Sequence, residues 1–431
     1  MDSFFKLKEH NTDVKTEIMA GITTFMTMAY ILVVNPLMLS SEGVGMDFGA
    51  VFTATALSAV IATLVMAIYA KLPFALAPGM GLNAFFAFTV VAGMGYSWEF
   101  ALTAVFLEGI IFIILTFLNV REAIINCIPV SIKNAISVGI GLFIAFIGLV
   151  NAGVIQTGDG TILALGNITE GKALLAIIGL VITGLLVAKN IKGALLIGIV
   201  VTTLIGIPMG ITKVPAQVAS LPPSLSPIMF KFQWDQIFSM KMLIILFTFL
   251  FVDMFDTVGT LIGVSAKAGL LNEKGEVPNA KQALFADSIG TTVGACLGTS
   301  TVTTYVESAA GVAEGGRTGL TALSAAGMFG IALFFSPLFT MVPEAATAPA
   351  LVLVGLFMMS PIKNIDFDDY TESIPAFLTI IMMPLAYSIA EGIVFGMISY
   401  VLLKLLTGKF KEVSPLSVFL AILFVAKFFI E

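Results

Sequence analysis

The chain has 431 residues, of which 58% are hydrophobic and only 11% charged, against roughly 25% charged in an ordinary soluble domain; that leaves too little polar surface to face water. The formal net charge of −6 is small for this length and points to neither a nucleic-acid nor an acidic partner. Two cysteines, Cys127 and Cys296, without CxxC spacing, and one histidine, His10, argue against zinc, iron–sulfur and haem sites, so no metal and no resident cofactor is expected.

Residues 1–16 form a polar tail with no short apolar region ending in a cleavage site, so a removable signal peptide is not expected. A spanning helix needs about 20 mostly apolar residues, because the hydrocarbon is about 30 Å thick and each helical residue rises 1.5 Å. Windows of this kind predict spans at 17–39, 50–70, 74–92, 98–118, 134–151, 172–188 and 193–211. A linker at 212–240, rich in Pro, Ser and Gln, falls at the midpoint. A second series follows at 241–266, 284–298, 301–315, 319–342, 345–360, 374–388 and 391–406. The apolar segment at 415–431 is interrupted by Lys427 and short for a crossing, so it is expected to be interfacial or half-inserted.

The expected fold is therefore an all-α polytopic membrane protein of fourteen spans, seven plus seven. An odd number per half makes the second half enter from the opposite side, an inverted repeat. Basic residues set the orientation: Lys6, Lys8, Lys15, Lys71, Arg121, Lys133, Lys189, Lys192, Lys267, Lys274, Lys281, Arg317, Lys363, Lys404, Lys409 and Lys411 fall on one side, and Lys172, Lys213, Lys231 and Lys241 on the other. The richer side is cytoplasmic and holds the N-terminus of a multi-pass protein.

The third span begins KLPFALAPGMGLNAFFAF. A Pro-Gly-Met-Gly run at membrane depth breaks the helix, and irregular backbone is tolerated there only where protein or a water-filled cavity satisfies it. Asn83, Phe85 and Phe86 follow the break. In the tenth span, GTSTVTTYVESAAGVAEGGRTG, the β-branched run Thr301 to Val306, with Thr304 inside it, can run extended before a helix starts near Glu307. Spans 3 and 10 are thus expected to be discontinuous, with short extended segments. The offset that aligns Thr24 with Thr248 also carries Asn83 onto Glu307, an amide opposite a carboxylate. Small-residue runs of this kind also allow close helix packing.

The eighth span, LIILFTFLFVDMFDTVGTLIGV, carries Asp253 and Asp256. One carboxylate at such depth costs roughly 2.5 to 3.5 kcal/mol on insertion scales, so an intramembrane pair is a functional-site hypothesis. At spacing i, i+3 the two share a helix face where one proton can be held or exchanged. Glu108 lies in the fourth span with no partner visible in sequence and is not placed in the site. Together these residues offer carboxylate acceptors, an amide and aromatic faces such as Phe85 on which a planar ring can stack. They suit a planar, uncharged, hydrogen-bond-donating ligand.

The stretches APGMGLNAFFAF, FTFLFVDMFDTVGTL and GTSTVTTYVESAAGVAEGGRTG resemble the AzgA-like branch of the nucleobase–cation symporter-2 (xanthine/uracil permease) family, from about Phe4 to the C-terminus. Within that branch the resemblance is strongest to bacterial guanine/hypoxanthine permeases. It implies a substrate-binding core domain (17–118 and 241–342) and a gate domain (134–211 and 345–406). It also implies purine import by proton symport, elevator-like movement, a cell-membrane location and a homodimer. Asp253 and Glu307 match positions that hydrogen-bond the base, Asn83 a polar position of the third span, and Asp256 an acidic position assigned to proton coupling or site support. Glu307 is followed by Ser308 and Ala309 rather than Asn, which argues against xanthine or uracil as main cargo. Adenine remains an alternative cargo. An anion exchanger of the same 7+7 fold is disfavoured by the carboxylates, and no nucleophile–base constellation suggests an enzyme.

Overall fold

Helix α1 (Val14–Met28) starts at Asp13, whose carboxylate accepts the Thr16 N–H at 2.9 Å and so satisfies one of the donors a helix N-terminus leaves open. After Ala29 and Tyr30 the chain continues as α2 (Ile31–Leu39). Asp47 caps α3 (Phe48–Val65) in the same way, accepting the Ala50 N–H at 2.7 Å. These features come from a computed structural model, which describes residues 2–118, 129–158, 160–271 and 277–430. Cys127 lies outside the described residues.

After α3 the chain runs through a short strand, β1 (Leu76–Pro78), into α4 (Met80–Ala84), which continues in π-helical turns over Phe85–Gly93. Helices α5 (Trp98–Leu118) and α6 (Val130–Asn151) follow. Next comes a hairpin of β2 (Ile155–Gly158) and β3 (Thr161–Leu165), then α7 (Gly171–Ala188) and α8 (Ala194–Gly206). The second half holds α9 (Met240–Ala268), α10 (Ala280–Leu297), strand β4 (Val302–Thr304), α11 (Ser308–Ala313) and α12 (Gly319–Ala332). It ends with α13 (Glu344–Met358), α14 (Tyr370–Leu385), α15 (Ile389–Leu406) and α16 (Pro415–Ile430).

Among the described residues, eight helical stretches are long and apolar enough to cross a membrane, from Val14–Leu39 to Ile389–Leu406. Met80–Gly93, Ala194–Gly206, Tyr370–Leu385 and Pro415–Val425 are apolar but shorter. The protein is a helical, multi-pass membrane protein. The expectation of extended segments in spans 3 and 10 alone misses the β2–β3 hairpin, which lies in the long gap after the fifth predicted span. Its strands are only four and five residues long and mostly exposed, too short for a window that looks for about 20 apolar residues.

The chain divides into two compact units, Met1–Phe117 with Gly148–Ala350, and Leu118–Ile147 with Leu351–Glu431. In the first, a core of Ala62, Met66, Phe74, Leu76, Leu261, Ala283 and Val302 surrounds β1 and β4. Glu17 on α1 is fully buried there and accepts from the N–H groups of Arg317, Thr318 and Thr321 and from the hydroxyls of Thr318 and Thr321. In the second unit Lys404 is fully buried on α15, with Glu372 and Glu412 each 2.5 Å from its ammonium.

Candidate substrate site

β1 and β4 come from opposite halves of the sequence and pair antiparallel, with Leu76 opposite Thr304, Ala77 opposite Thr303 and Pro78 opposite Val302. The ladder extends at both ends, through Gly79 N–H to Thr301 O at 2.9 Å and Tyr305 N–H to Ala75 O at 3.0 Å. A two-stranded ribbon has two outer edges, and buried backbone there needs partners. Threonines supply them. Thr63 on α3 accepts the Leu76 N–H at 2.9 Å and donates to Leu76 O at 3.2 Å. Thr291 on α10 accepts the Val302 N–H at 3.2 Å and donates to Val302 O at 3.0 Å.

Two glycines make the crossing fit. A Cβ at Gly79 would lie 2.3 Å from Thr303 Cγ2, so the strands can meet only with hydrogen at that position. Gly298 ends α10 at φ 100°, the left-handed region that glycine adopts freely, and so turns the chain towards β4.

Both strands lead into short helices, and the polar side chains gather at these junctions. Glu307, just before α11, accepts from the Tyr30 hydroxyl at 2.7 Å through Oε1, and its carbonyl accepts from Thr27 at 3.4 Å. Asp256 on α9 accepts from the Thr303 hydroxyl at 3.3 Å and is close enough to Glu307 and Tyr30 for its charge to act on both. Asp256 and Glu307 are partly exposed. Tyr305 is buried and donates to Pro78 O at 2.5 Å, locking the ribbon beside this group. The result is two carboxylates, two hydroxyls and adjacent irregular backbone in one place.

The other predicted residues are placed differently. Asn83 is fully buried; its Oδ1 accepts from Ser300 Oγ and its Nδ2 donates to Pro78 O at 3.4 Å, and these bonds tie α4 to the ribbon. Phe85 is fully buried edge-to-face against Phe249, with centroids 4.7 Å apart. Thr304 is buried and donates to Asp287 Oδ1 at 3.4 Å. Asp253 is fully buried, accepts weakly from Thr257 at 3.5 Å, and meets the carboxyl of Glu108. The two aspartates of α9, one turn apart, thus serve different surroundings: Asp256 joins Glu307, and Asp253 does not.

Tyr30, Thr303 and Asp287 escape the sequence reading. Asp287 carries a usable signal, a lone carboxylate inside the predicted span 284–298, to which the same burial cost applies as to Asp253. Tyr30 carries none, since a tyrosine at the end of an apolar helix looks like packing. Among the described residues no cluster of three or more His, Cys, Asp or Glu side chains could hold a metal ion.

Residues 15–395 match a family described as Permease family. The chain is 46% identical over 427 residues to the adenine permease AdeP of Escherichia coli K12, covering 99% of this chain and 95% of that protein. It is also 46% identical over 438 residues to the guanine/hypoxanthine permease PbuG of Bacillus subtilis 168, covering 99% of each. Among solved structures, the transmembrane domain of the cyanobacterial bicarbonate transporter BicA superposes with a TM-score of 0.66 at 17% identity, covering 88% of this chain and 96% of that one. At that identity the likeness concerns the fold.

Proposed function

The chain belongs to the xanthine/uracil permease family, and on that premise we propose that it imports purine nucleobases, guanine and hypoxanthine foremost, by proton symport across the cell membrane. The carrying observation is the grouping of Glu307, Asp256, Tyr30 and Thr303 beside the β1–β4 crossing. Carboxylates only accept, whereas the ring N–H and exocyclic N–H₂ of these bases donate. We therefore assign Glu307 and Asp256 to the base, with Tyr30 orienting Glu307. Asn83, Phe85 and Thr304 support that edge by fixing α4 and β4 around it.

We read the chain as fourteen spans in two inverted repeats, with spans 3 and 10 discontinuous and the N-terminus cytoplasmic. The antiparallel ribbon supports this: a pseudo-two-fold axis in the membrane plane sets corresponding strands of the two halves antiparallel. Elevator-like movement of the core domain and a homodimer complete the proposal. Adenine is the second reading, because the adenine permease relative is as similar as the guanine/hypoxanthine one.

The test is uptake of radiolabelled hypoxanthine in a transport-deficient host, with guanine, adenine, xanthine and uracil as competitors and a protonophore control. Strong competition by guanine and loss of accumulation with protonophore are expected. Dominant competition by adenine selects the second reading, and competition by uracil alone overturns purine cargo.

A further inference from the structure

A cleft of about 600 Å³ opens where the N-terminal tail crosses the end of α11, and all the residues that line it belong to the first unit. The tail is not a loose polar extension. Phe5 and Leu7 are buried against Leu320 of α12, and the Lys71 ammonium lies 4.6 Å from the centre of the Phe4 ring. Beyond Leu7 the chain reverses: Leu7 O accepts from the His10 N–H at 3.2 Å and the Thr12 N–H at 3.1 Å, with Asn11 at φ 51°, a left-handed conformation that asparagine tolerates. This turn brings Lys8, His10 and Thr12 to the cleft from the tail side, and Gly315 and Arg317 line it from the α11 side. Gly315 lies at φ 103°, and a Cβ there would stand 2.9 Å from Thr16 Cγ2, so glycine lets the two sides approach closely.

Three side chains that can carry positive charge, Lys8, His10 and Arg317, line the cleft against one carboxylate, Asp13. The acids nearby are already engaged. Asp13 accepts from the Thr16 N–H at 2.9 Å and its hydroxyl at 3.2 Å, Glu9 pairs with Lys6 at 3.0 Å, Glu314 pairs with Lys192, and Glu17 accepts from the donors around Thr318. Arg317 is half-buried; its Nη1 donates to Val312 O at 2.6 Å and Gly316 O at 2.8 Å, and no carboxylate pairs with it among the described residues. Those two bonds fix the plane of the guanidinium while its other N–H groups have no partner among the described residues. Its donors form a rigid planar fork that matches a carboxylate or phosphate. A cation held part-way out of water, oriented and without a counter-ion, calls for an anion.

We propose that this cleft binds a phosphate group, with Arg317 as its forked donor and Lys8 and His10 as flanking charges. The volume leaves room for more than phosphate itself, so the ligand is a phosphate ester, either a soluble sugar phosphate or an anionic lipid headgroup. On the orientation read above the cleft opens to the cytoplasm; the binding claim does not depend on the cargo. The site lies apart from the base-binding group but shares two elements with it. α11 starts beside Glu307 and ends at the cleft, and α1 leads from the cleft towards Tyr30. Gly311 seats α11 on α1, since a Cβ there would lie 2.5 Å from Ala20 O. An anion that ties Arg317 to the tail therefore steadies the two elements that carry Glu307 and Tyr30.

The test uses the purified full chain, comparing wild type with Arg317→Gln and with Lys8→Ala combined with His10→Ala. Inorganic phosphate and ribose 5-phosphate, neither of which carries a base, are titrated by calorimetry in detergent. Melting temperature is measured in nanodiscs of phosphatidylcholine with and without phosphatidylglycerol. Wild type is expected to bind ribose 5-phosphate, and both variants to lose about ten-fold or more in affinity. A melting temperature raised by phosphatidylglycerol in wild type and not in the variants, with no binding of the soluble probes, assigns the phosphate to a lipid. Wild type that responds to none of these probes, or a response that the double variant leaves unchanged, overturns the site. If Arg317→Gln does not fold, because its guanidinium also bonds two carbonyls, the double variant decides, since Lys8 and His10 are exposed. Hypoxanthine binding is measured alongside and is expected to stay within about two-fold of wild type in the double variant. Wild type that binds no purine would sink the cargo assignment and leave the phosphate result standing, which keeps the two failures distinct.

Discussion

The Tyr30 hydroxyl donates to Glu307 Oε1 at 2.7 Å, joining the end of the first long helix to the junction between β4 and α11. The bond fixes which carboxylate oxygen stays free to accept from a ligand. Tyr30→Phe removes the donor and keeps the ring, so hypoxanthine affinity is expected to fall about three- to ten-fold, with thermal stability nearly unchanged. Binding measured by calorimetry in detergent checks it, and unaltered affinity would show that Tyr30 plays no part in the site.

Glu307→Ala is expected to abolish detectable hypoxanthine binding, because it removes the acceptor and leaves Tyr30 without its partner. Asp256→Asn keeps the Thr303 contact possible and is expected to weaken binding by about ten-fold or more, since the amide offers a donor where the base also donates. Wild-type affinity in either variant would contradict the assignment of these two residues to the base.

The eight long apolar helical stretches among the described residues were legible because long apolar windows reflect the bilayer thickness, a local property. Asp253 and Asp256 were legible for the converse reason, charge inside such a window. Their different surroundings were not: which partner each meets depends on how α5 and β4 pack against α9, which no local pattern states. The same holds for the register of Leu76 with Thr304, between segments more than two hundred residues apart. Asn83 was visible as an amide after a Pro-Gly break, yet its link to Ser300 is tertiary. Glu17 stands one turn into α1, and its donors come from the stretch around Thr318 in the other half, which no local pattern near residue 17 states.

Gly79→Ala tests the crossing itself. The added methyl would lie 2.3 Å from Thr303 Cγ2, and Thr303 is held in the ribbon opposite Ala77. Overpacking of this kind costs about 1 to 3 kcal/mol, and the displaced strand would also shift Asp256's partner. Lower melting temperature together with loss of uptake is expected, measured by thermal shift in detergent and by transport in cells. Normal values for both would mean that the strands need not meet so closely.

Glu17→Ala is expected to be among the most damaging substitutions outside the site. It leaves buried donors on Arg317, Thr318 and Thr321 unanswered, each lost partner costing about 1 to 3 kcal/mol. Sharply reduced recovery of folded protein after detergent extraction is the expected outcome. A variant as stable as wild type would show that water replaces the carboxylate.

Asp369, in the loop before α14, supplies a prediction with a defined sign in pH. Its carboxylate accepts from Lys409 Nζ at 2.6 Å, from the Thr371 hydroxyl at 2.7 Å and from the Thr371 N–H at 2.9 Å. The Lys409 bond above all, then the two from Thr371, hold its carboxyl well below the usual carboxylate range. A group whose pKa is lower folded than unfolded stabilises the fold in full above its unfolded value, about 4 for Asp, and loses that contribution as pH falls towards the folded value. Because the pair lies at the surface, the effect is small. Acidification from about pH 6 to about pH 3 should therefore lower the melting temperature of wild type more than that of Asp369→Asn, whose amide does not titrate. Carboxylates away from Lys404 and Lys409 titrate alike in both proteins, so the difference between the two curves reports on Asp369 and the Glu372 and Glu412 carboxylates that share Lys404 with it. Parallel curves across that range would mean that the bonds to Lys409 and Thr371 do not persist in solution.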